Sequence, residues 1–287
     1  MTEIIYLNGK LIPKTEAAIS PEDRGFNFAD GIYEVIKYYN GKPYRYADHL
    51  ERLKRSLKEV QIEYNDTDQL ESIFQELLDK NGLAAQEAGI YLQITRGSQT
   101  RIHRFPDTIQ PTVYATVFPF ASKWDQLKNG VKVITTEDTR WLRCDIKSVS
   151  LLPNVLAAQK AHEQDAVEAI FIRNGVVTEG SHSSFMAVKN GVVYTHPNSN
   201  LILPGITRKV VLEICRDHNI QVIEEGIPAS ELANMDEMMI IGTGSEISPV
   251  VQLDDTQVGN GNPGPVTLFI QEKFFEQTKI KQSISTI

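Results

Sequence analysis

Residues 140–148 read Arg-Trp-Leu-Arg-Cys-Asp-Ile-Lys-Ser, and residues 176–181 read Val-Val-Thr-Glu-Gly-Ser. The lysine of the first stretch, Lys147, precedes several apolar residues, so we expect its segment to be partly buried. A lysine amine in such a segment can be neutral, as attack on an aldehyde requires. Glu179 follows apolar and β-branched positions at a predicted strand end, where a carboxylate can project into a cleft. Taken alone, each of the two residues would most often lie on the surface.

Lys147 and Glu179 lie 179 − 147 = 32 positions apart and together suit the opposite ends of pyridoxal 5'-phosphate. The amine forms a Schiff base with the aldehyde carbon. The carboxylate keeps the pyridine nitrogen protonated, so that the ring withdraws electrons from a substrate carbanion. The pair therefore predicts this cofactor.

The composition is that of an ordinary soluble globular protein. The chain has 287 residues, of which 41% are hydrophobic and 23% are charged, and its formal net charge is −8. An acidic chain lacks the basic face of a nucleic-acid binder. There is no basic start followed by an apolar core, no apolar run of roughly 18 residues, and no disulfide framework from two cysteines. We expect a cytoplasmic protein that binds neither membranes nor nucleic acid.

The predicted helices and strands favour an α+β fold and not a regular doubly wound sheet. Asn-Gly pairs at residues 8, 40, 174 and 190 each predict a tight hairpin turn. The patterns predict strands at 31–39, 42–46, 88–96, 112–118, 131–137, 168–173, 184–189 and 238–242. They predict helices at 48–60, 68–80, 154–164 and 206–217, the first with a buried stripe of Leu50, Leu53, Leu57 and Val60. We expect a small domain over 1–120, a linker over 121–129 and a larger domain over 130–287.

Three further segments can bind a phosphate group. Gly205-Ile206-Thr207-Arg208 opens a predicted helix, whose first-turn amides at Ile206 and Thr207 would point at an anion. Gly242-Thr243-Gly244 follows an apolar strand, where glycine lets the backbone approach a ligand. Arg52 can donate bidentately to phosphate. A plain helix start and a solvated arginine are the alternatives.

A substrate carboxylate could be bound by Arg101 and His103, which stand two positions apart in a predicted loop. The alternative is a basic exposed loop. Tyr33 lies on a predicted strand and shares a face with Val35 and Lys37 by the period of two. Its alternative is a core tyrosine.

Other motifs lack their structural context. Residues 259–264 fit G-x-G-x-x-G, but no βαβ unit and no acidic residue about 20 positions further on accompanies them, so we interpret them as a surface hairpin turn. The six histidines show no ligand spacing, and we expect no metal site.

Together these stretches resemble the fold-type IV pyridoxal-phosphate enzymes, and among them most closely the D-amino acid aminotransferases. Residues 23–35, Asp-Arg-Gly-Phe-Asn-Phe-Ala-Asp-Gly-Ile-Tyr-Glu-Val, are similar to that family's opening motif, and residues 140–148 are similar to its lysine segment. Residues 178–181 and 205–208 are shared more widely across fold type IV. The resemblance runs through most of the chain. It implies a small N-terminal α/β domain and a larger C-terminal domain with a mixed, barrel-like sheet.

The resemblance implies a role for each candidate residue. Lys147 would bind the cofactor and carry the proton, Glu179 would pair with the pyridine nitrogen, and Leu203 would pack against the ring. The cofactor phosphate would be bound by Arg52, Ile206, Thr207 and Thr243. The substrate α-carboxylate would be bound by Tyr33, Arg101 and His103, the last two contributed by the partner subunit of a homodimer.

The implied reaction is transamination between D-amino acids, such as D-alanine or D-glutamate, and 2-oxo acids, such as 2-oxoglutarate or pyruvate. Within the family the alternatives are a branched-chain L-amino acid aminotransferase, an (R)-amine transaminase and an aminodeoxychorismate lyase. Arg101 and His103 argue against amines without a carboxylate as the main substrates. Outside the family the alternative is a non-catalytic acidic binding domain.

Two positions depart from the D-amino acid aminotransferases. Gly242 stands where those enzymes often have serine, so one side-chain donor to the phosphate is absent, as in the branched-chain enzymes. The lysine segment, however, lacks the Gly-Asn-Tyr that usually follows the lysine in those branched-chain enzymes. Ile102 is bulkier than the small residue expected between Arg101 and His103, which bears on pocket size.

Overall fold

The computed structural model describes residues 2–278, which form two compact units. Unit 1 contains residues 2–121 and 146–150, and unit 2 contains residues 122–145 and 151–278. Helices and strands occur together in both units, which confirms the predicted α+β class. Within residues 2–278 no helix is both long enough and apolar enough to span a membrane.

Unit 1 is built on one antiparallel sheet. Its strands are β1 (Ile4–Leu7), β2 (Lys10–Pro13), β3 (Gly31–Tyr39), β4 (Lys42–Pro43), β5 (Ala88–Thr95) and β6 (Thr112–Pro119). Its helices are α1 (Arg24–Phe28), α2 (Tyr46–Glu59) and α3 (Leu70–Lys80), with 3-10 turns at Lys14–Glu16 and Asp66–Gln69. The strand order is β2-β1-β6-β5-β3-β4, and each neighbouring pair is antiparallel.

The core of unit 1 lies between this sheet and the apolar faces of α2 and α3. The predicted stripe of α2 is confirmed in part, since Leu53 and Leu57 are buried while Leu50 and Val60 pack partly buried against the same cluster. The cluster also contains side chains of α3 and of the strands: Phe74, Leu77, Leu78, Ile32, Ile36, Ile90, Leu92 and Ile94.

Strand β4 is shorter than predicted, and α2 begins earlier. The expected strand over 42–46 contains only Lys42–Pro43. Pro43 has no N–H to donate to a strand ladder. Arg45 adopts a left-handed φ of 55°, so the chain leaves the strand direction and enters the helix at Tyr46.

The four predicted Asn-Gly turns are confirmed. Each joins two antiparallel strands, and both of its residues have positive φ, between 48° and 52° at the asparagines and between 74° and 86° at the glycines. A two-residue hairpin loop of type I′ requires positive φ at both positions. Asparagine and glycine adopt that conformation at low cost.

Residues 146–150 belong to unit 1, although the chain on both sides of them lies in unit 2. β4 pairs only with Tyr38 and Tyr39, so the start of β3 has an edge that β4 does not cover. The segment 146–150 covers it: Tyr33 N donates to Lys147 O at 2.9 Å, and Val149 N donates to Gly31 O at 3.1 Å. That residues 1–120 and 130–287 form two separate domains stays a prediction.

Unit 2 contains one mixed sheet with helices. Its strands are β7 (Val131–Glu137), β8 (Glu168–Arg173), β9 (Val176–Gly180), β10 (Ser184–Lys189), β11 (Val192–Thr195), β12 (Val222–Glu224), β13 (Glu237–Gly242), β14 (Glu246–Leu253) and β15 (Thr256–Gln257). Its helices are α4 (Trp124–Asn129), α5 (Leu152–His162), α6 (Ile206–Asp217) and α7 (Pro265–Thr278), with a 3-10 turn at Ala229–Asn234.

The sheet of unit 2 curls. Its strand order is β12-β11-β10-β13-β14-β7-β8-β9, with β15 paired to β14. Four strands therefore separate β9 from β10 in the sheet, yet only three residues connect them, and Gly180 N donates to Ser183 O at 2.7 Å. A flat sheet could not satisfy both conditions, so the predicted barrel-like curvature is confirmed.

Several expectations for unit 2 need correction. Residues 121–129, predicted as a linker, contain α4, whose Leu127 is buried. α5 begins two residues before the predicted start, with Pro153 in its first turn, where a missing N–H costs nothing. Residues 259–264 connect β15 to α7, so they are not a hairpin turn.

Candidate active site

Lys147 is half-buried in unit 1 and lies against Tyr33. Its amide is 3.4 Å from Ser56 Oγ on α2, and its carbonyl accepts from the Tyr33 amide. The lysine Nζ lies 4.3 Å from the centroid of the Tyr33 ring. That ring is itself stacked on Tyr91 at 5.8 Å, with the planes 30° apart. The segment's backbone pairing with β3 therefore positions both the lysine and the tyrosine.

Arg52, a predicted phosphate ligand, is bound to Glu34 in the interior of unit 1. Its Nε and Nη2 donate to the two Glu34 carboxylate oxygens at 2.7 and 2.8 Å. His49, one turn earlier on α2, places Nδ1 2.8 Å from Glu34 Oε2. A guanidinium has five N–H donors, more than a bidentate pair uses, so this pair orients Arg52 without exhausting its donors.

The pKa values of Glu34 and His49 indicate which side chains of this cluster are charged. Burial alone would raise the pKa of Glu34, but Arg52 and His49 outweigh it and hold the pKa below its usual value. Burial lowers the pKa of His49, which the contact with Glu34 only partly opposes. At neutral pH we therefore expect an ionised Glu34 beside an Arg52 cation and a neutral His49.

Arg101 and His103 lie in unit 1 on the irregular segment between β5 and β6. Both side chains contact Phe28 of α1. The Arg101 guanidinium carbon is 4.9 Å from the centroid of that ring, and the His103 ring is 5.3 Å from it. Both side chains therefore lie at one ring, and their role as ligands of a substrate carboxylate stays a prediction.

Glu179 is buried in unit 2 at the end of β9. Arg140 Nη1 donates to its Oε1 at 2.5 Å. The Leu203 amide donates to both carboxylate oxygens, at 3.2 and 3.1 Å. Leu203, predicted to pack against the cofactor ring, therefore also binds Glu179 through its backbone.

Arg140 is itself held by a second carboxylate. Its Nε and Nη2 donate to the two oxygens of Asp138, both at 2.9 Å, and its guanidinium lies over the Phe171 ring at 4.4 Å. Arg173 adds a further contact to Asp138 at 2.9 Å. Although burial opposes it, pairing with the two arginines lowers the pKa of Asp138 to about 2. Asp138 is therefore a permanent anion that fixes Arg140 next to Glu179.

Glu179 differs from Glu34 and Asp138 in that its pKa is raised. Burial raises it from 4.5 to about 7, although Arg140 and the Leu203 amide both favour the ionised form. The carboxyl group can therefore gain or lose its proton near neutral pH. A group with that property suits contact with a ligand that is itself protonated or cationic.

The predicted phosphate anchors of unit 2 meet around the start of β10. A Cβ on Gly205, the N-cap of α6, would lie 2.7 Å from Ser184 Oγ, so a side chain at this position would force Ser184 to shift. A Cβ on Gly242, at the end of β13, would have its nearest neighbours at 3.7–3.9 Å in residues 182–183. Gly205 at the start of α6 and Gly242 before Thr243 thus both lie near residues 182–184. The arrangement can bind an anion.

Glu168 organises the turn between β9 and β10. It is fully buried and accepts hydrogen bonds from Ser181 Oγ at 2.5 Å and Ser183 Oγ at 2.6 Å. The Ser181 amide also donates to it, at 2.9 Å. Since the turn follows Glu179 directly, Glu168 helps to set the direction in which β9 ends.

The predicted residues therefore fall into two sets, one in each unit. In unit 1 the set is Lys147, Tyr33 and Arg52, with Arg101 and His103 on a separate loop of that unit. In unit 2 the set is Glu179, Leu203, Ile206, Thr207 and Thr243. In residues 2–278 no group of three or more metal-binding side chains occurs.

Sequence reasoning missed the residues that hold these side chains in place. Glu34 and Arg140 were both part of quoted motifs, and a search for charged residues next to the candidates would have singled them out. The roles of His49 and Glu168 had no comparable signal, because each contacts a residue that is distant in sequence. Asp138 lies two residues before Arg140, just outside the quoted motif.

The raised pKa of Glu179 predicts a pH dependence of stability for the cofactor-free protein. A carboxyl whose pKa is higher in the folded state stabilises the fold below about pH 4.5, and this contribution is lost as the pH rises through about 7. We expect the unfolding free energy to fall over that range by up to about 3 kcal/mol from this group. Urea unfolding at a series of pH values measures it.

Glu179→Gln should flatten this part of the profile, because the amide does not titrate. Glu272→Gln, at an exposed position of α7, is the matched control and should follow the wild-type profile. Parallel profiles for wild type and Glu179→Gln would contradict the assignment.

The chain was also compared with known proteins. Residues 31–253 match the family model described as amino-transferase class IV. The chain is 43% identical over 268 residues to a D-alanine aminotransferase of Bacillus licheniformis, covering 93% of this chain and 94% of that protein. It is 44% identical over 281 residues to a D-alanine aminotransferase of Staphylococcus haemolyticus, covering 97% and 99%.

Solved structures give the same fold. A branched-chain amino acid aminotransferase of Escherichia coli matches with a TM-score of 0.90 at 25% identity, covering 99% of this chain and 98% of that one. A branched-chain aminotransferase of Thermoproteus uzoniensis, solved with norvaline, matches with a TM-score of 0.86 at 28% identity, covering 99% and 97%. The fold-type IV prediction is confirmed, and this chain belongs to the class IV aminotransferases.

Proposed function

We propose that this enzyme uses pyridoxal 5'-phosphate to transfer amino groups between D-amino acids and 2-oxo acids. The observation that carries the proposal is the 43–44% identity, over nearly the whole chain, to D-alanine aminotransferases. The candidate substrates are D-alanine and D-glutamate as amino donors, and 2-oxoglutarate and pyruvate as acceptors.

The residues present fit this cofactor. A buried carboxyl group that accepts hydrogen bonds is available in Glu179, and the first turn of α6 offers amides at Ile206 and Thr207 for a phosphate. Thr243 and Arg52 add side-chain donors. When bound, pyridoxal phosphate supplies an electron-withdrawing ring that stabilises negative charge on the substrate α-carbon. Leu203 would pack against that ring.

Lys147 is the proposed base. Its Nζ would carry the cofactor between turnovers, accept the proton from the substrate α-carbon and later return a proton. The contacts of its backbone to β3 and Ser56 hold the segment, and the side chain lies next to Tyr33. A placed base of this kind typically contributes about 10²–10⁴-fold to the rate.

Glu179 is the proposed partner of the cofactor's ring nitrogen. Its ionised form favours a protonated nitrogen, and Arg140 supports that form. Even with Arg140 and the Leu203 amide in place, burial raises the pKa to about 7, so the carboxyl would be partly protonated at neutral pH. A cationic ring nitrogen would therefore draw the pKa of Glu179 downwards.

The space around Gly242 would accommodate the serine that often stands at this position in the D-amino acid aminotransferases. A Cβ there would meet its neighbours at 3.7 Å or more, which is ordinary van der Waals contact. Glycine in place of serine at position 242 thus removes one side-chain donor to the phosphate and leaves room beside Thr243.

The proposed substrate site binds the α-carboxylate through Tyr33, Arg101 and His103. An arginine and a histidine supply charge-assisted donors that match a carboxylate. In this proposal Arg101 and His103 serve the active site of the partner subunit.

A homodimer is supported by apolar side chains on an exposed helix face. Leu152, Val155 and Leu156 of α5 are exposed by 69%, 59% and 62%. Their spacing puts them on one face of the helix. A patch of this kind is typical of a protein–protein interface. We also propose a cytoplasmic location, supported by the buried, unbridged Cys144 and Cys215.

The second candidate is a branched-chain L-amino acid aminotransferase. The TM-score of 0.90 to the Escherichia coli enzyme and the Gly242-Thr243-Gly244 turn favour it. The lower sequence identity, 25% against 43–44%, weighs against it.

Lys147→Ala should lose the covalent link to the cofactor and at least about 10²-fold of the turnover with D-alanine and 2-oxoglutarate. The coupled production of pyruvate measures the turnover, and loss of the visible absorption band after dialysis measures the link. Lys128→Ala, at an exposed position of α4, should behave as wild type. Near wild-type turnover of Lys147→Ala would remove this lysine from the mechanism.

The choice of donor separates the two candidate functions. The purified holoenzyme should use D-alanine and D-glutamate with a kcat/KM at least about tenfold above that for L-alanine and L-leucine, a difference of about 1.4 kcal/mol in transition-state binding. Initial rates with 2-oxoglutarate as acceptor measure it. A preference for L-leucine would instead support the branched-chain function and leave the family assignment intact.

Leu156→Glu should weaken the proposed dimer, because association would bury a new unpaired charge. We expect the dimer dissociation constant to rise by about tenfold or more. Analytical ultracentrifugation over a concentration series measures it. Gln75→Glu adds the same charge at an exposed position of α3 and should leave the dissociation constant unchanged. A monomeric wild type, or a dimer indifferent to Leu156→Glu, would contradict the interface.

A further inference from the structure

The segment between β5 and β6 is irregular but firmly closed at its base. Residues 96–111 contain no helix or strand. Gly97 has a φ of 108°, and a Cβ at this position would lie 2.0 Å from the Gln110 carbonyl oxygen. Only glycine fits there, so the two ends of the loop can lie against each other. We call residues 97–110 the carboxylate loop, because they carry Arg101 and His103.

Arg24 binds the backbone of the carboxylate loop from inside unit 1. It is only 3% exposed, and its Nη1 donates to Ile102 O at 2.6 Å. Its Nη2 donates to His103 O at 3.3 Å, and its Nε donates to Asp30 at 2.8 Å. One buried guanidinium thus connects a carboxylate to two consecutive carbonyls of the loop.

Arg96 provides a second anchor through the same carboxylate. Its Nε and Nη2 donate to the Asp30 oxygens at 2.7 and 2.9 Å. Its guanidinium carbon lies 3.6 Å from the centroid of the Phe105 ring, further along the loop. Asp30 therefore compensates two buried cations that each hold a different part of the loop.

Arg101 and His103, the two side chains proposed to bind the substrate, both lie against the Phe28 ring. Arg24 and Phe28 are four residues apart on α1, so both point to one face of that short helix. The ring is contacted by the guanidinium carbons of Arg24 at 4.8 Å and Arg101 at 4.9 Å, and by His103 at 5.3 Å. The same helix therefore fixes the loop backbone and supports its side chains.

We propose that Arg24 is a positioning residue for the substrate α-carboxylate. It fixes the backbone at residues 102–103, so that Arg101 and His103 are directed before substrate binds. Two long side chains on an exposed loop would otherwise lose conformational freedom on binding, and that loss weakens affinity. This inference rests on the proposed function, since it needs Arg101 and His103 to bind the carboxylate.

The central experiment is steady-state kinetics of the Arg24→Gln holoenzyme with D-alanine and 2-oxoglutarate. Both substrates carry an α-carboxylate. We expect KM for both to rise about tenfold with kcat within about twofold of wild type, because a misplaced binding group weakens ground state and transition state alike. The visible absorption of the bound cofactor should not change.

Arg104→Gln is the matched control. It removes the same charge from the carboxylate loop at a side chain that is 68% exposed, and both KM values should stay at the wild-type level. If Arg104→Gln raised KM as much as Arg24→Gln, the effect would be one of charge and the positioning role would be refuted.

Phe105→Leu keeps the test decisive if Arg24→Gln does not fold. It removes the ring beneath Arg96 at a half-exposed position without burying an unpaired charge. It should raise both KM values by about threefold, since only one anchor of the loop is weakened. Unchanged KM in Phe105→Leu and in any folded Arg24→Gln would overturn the inference, as would a fall in kcat with unchanged KM.

The wild-type enzyme separates this inference from the function on which it rests. An active wild type with an unaffected Arg24→Gln refutes the positioning role alone. A wild-type holoenzyme that does not use D-alanine refutes both.

Discussion

Glu179 lies in the interior of unit 2 beside Arg140, and this contact joins segments that are distant along the chain. A carboxylate that leaves water must regain hydrogen bonds and opposite charge from the protein. Arg140 supplies the charge and is held in turn by Asp138, while the Leu203 amide supplies two further hydrogen bonds. The contact therefore ties β9 to the chain after β7 and to the chain before α6.

The buried carboxylate of unit 1 is satisfied differently, and the difference has a chemical consequence. Glu34 faces both Arg52 and His49, and its pKa stays low, so it remains an anion at every physiological pH. At Glu179 the effect of burial outweighs the pairing with Arg140, and the pKa is about 7. The first carboxylate can only orient its neighbours, whereas the second can respond to the protonation of a ligand.

Elements that depend on short-range patterns were predicted well. β3, β7, β8, β10 and α6 have the predicted bounds, and the Asn-Gly turns are hairpins, because alternation, helical spacing and positive φ are local properties. The sequence predicts no helix over α4, since six residues with one buried leucine show no periodicity. Motifs named the candidate site residues, whereas residues that hold those candidates in place, such as His49 and Glu168, belong to no motif.

The sequence by itself determined which chemical groups are available: an amine at Lys147, a carboxylate at Glu179 and a glycine-led helix start at Gly205. Only the tertiary structure decided what surrounds them. The segment of Lys147 pairs with β3, more than a hundred residues earlier, and Arg140 reaches Glu179 across 39 positions. The reason is that backbone edges and buried charges must find partners wherever the fold brings them, and no local pattern records that requirement.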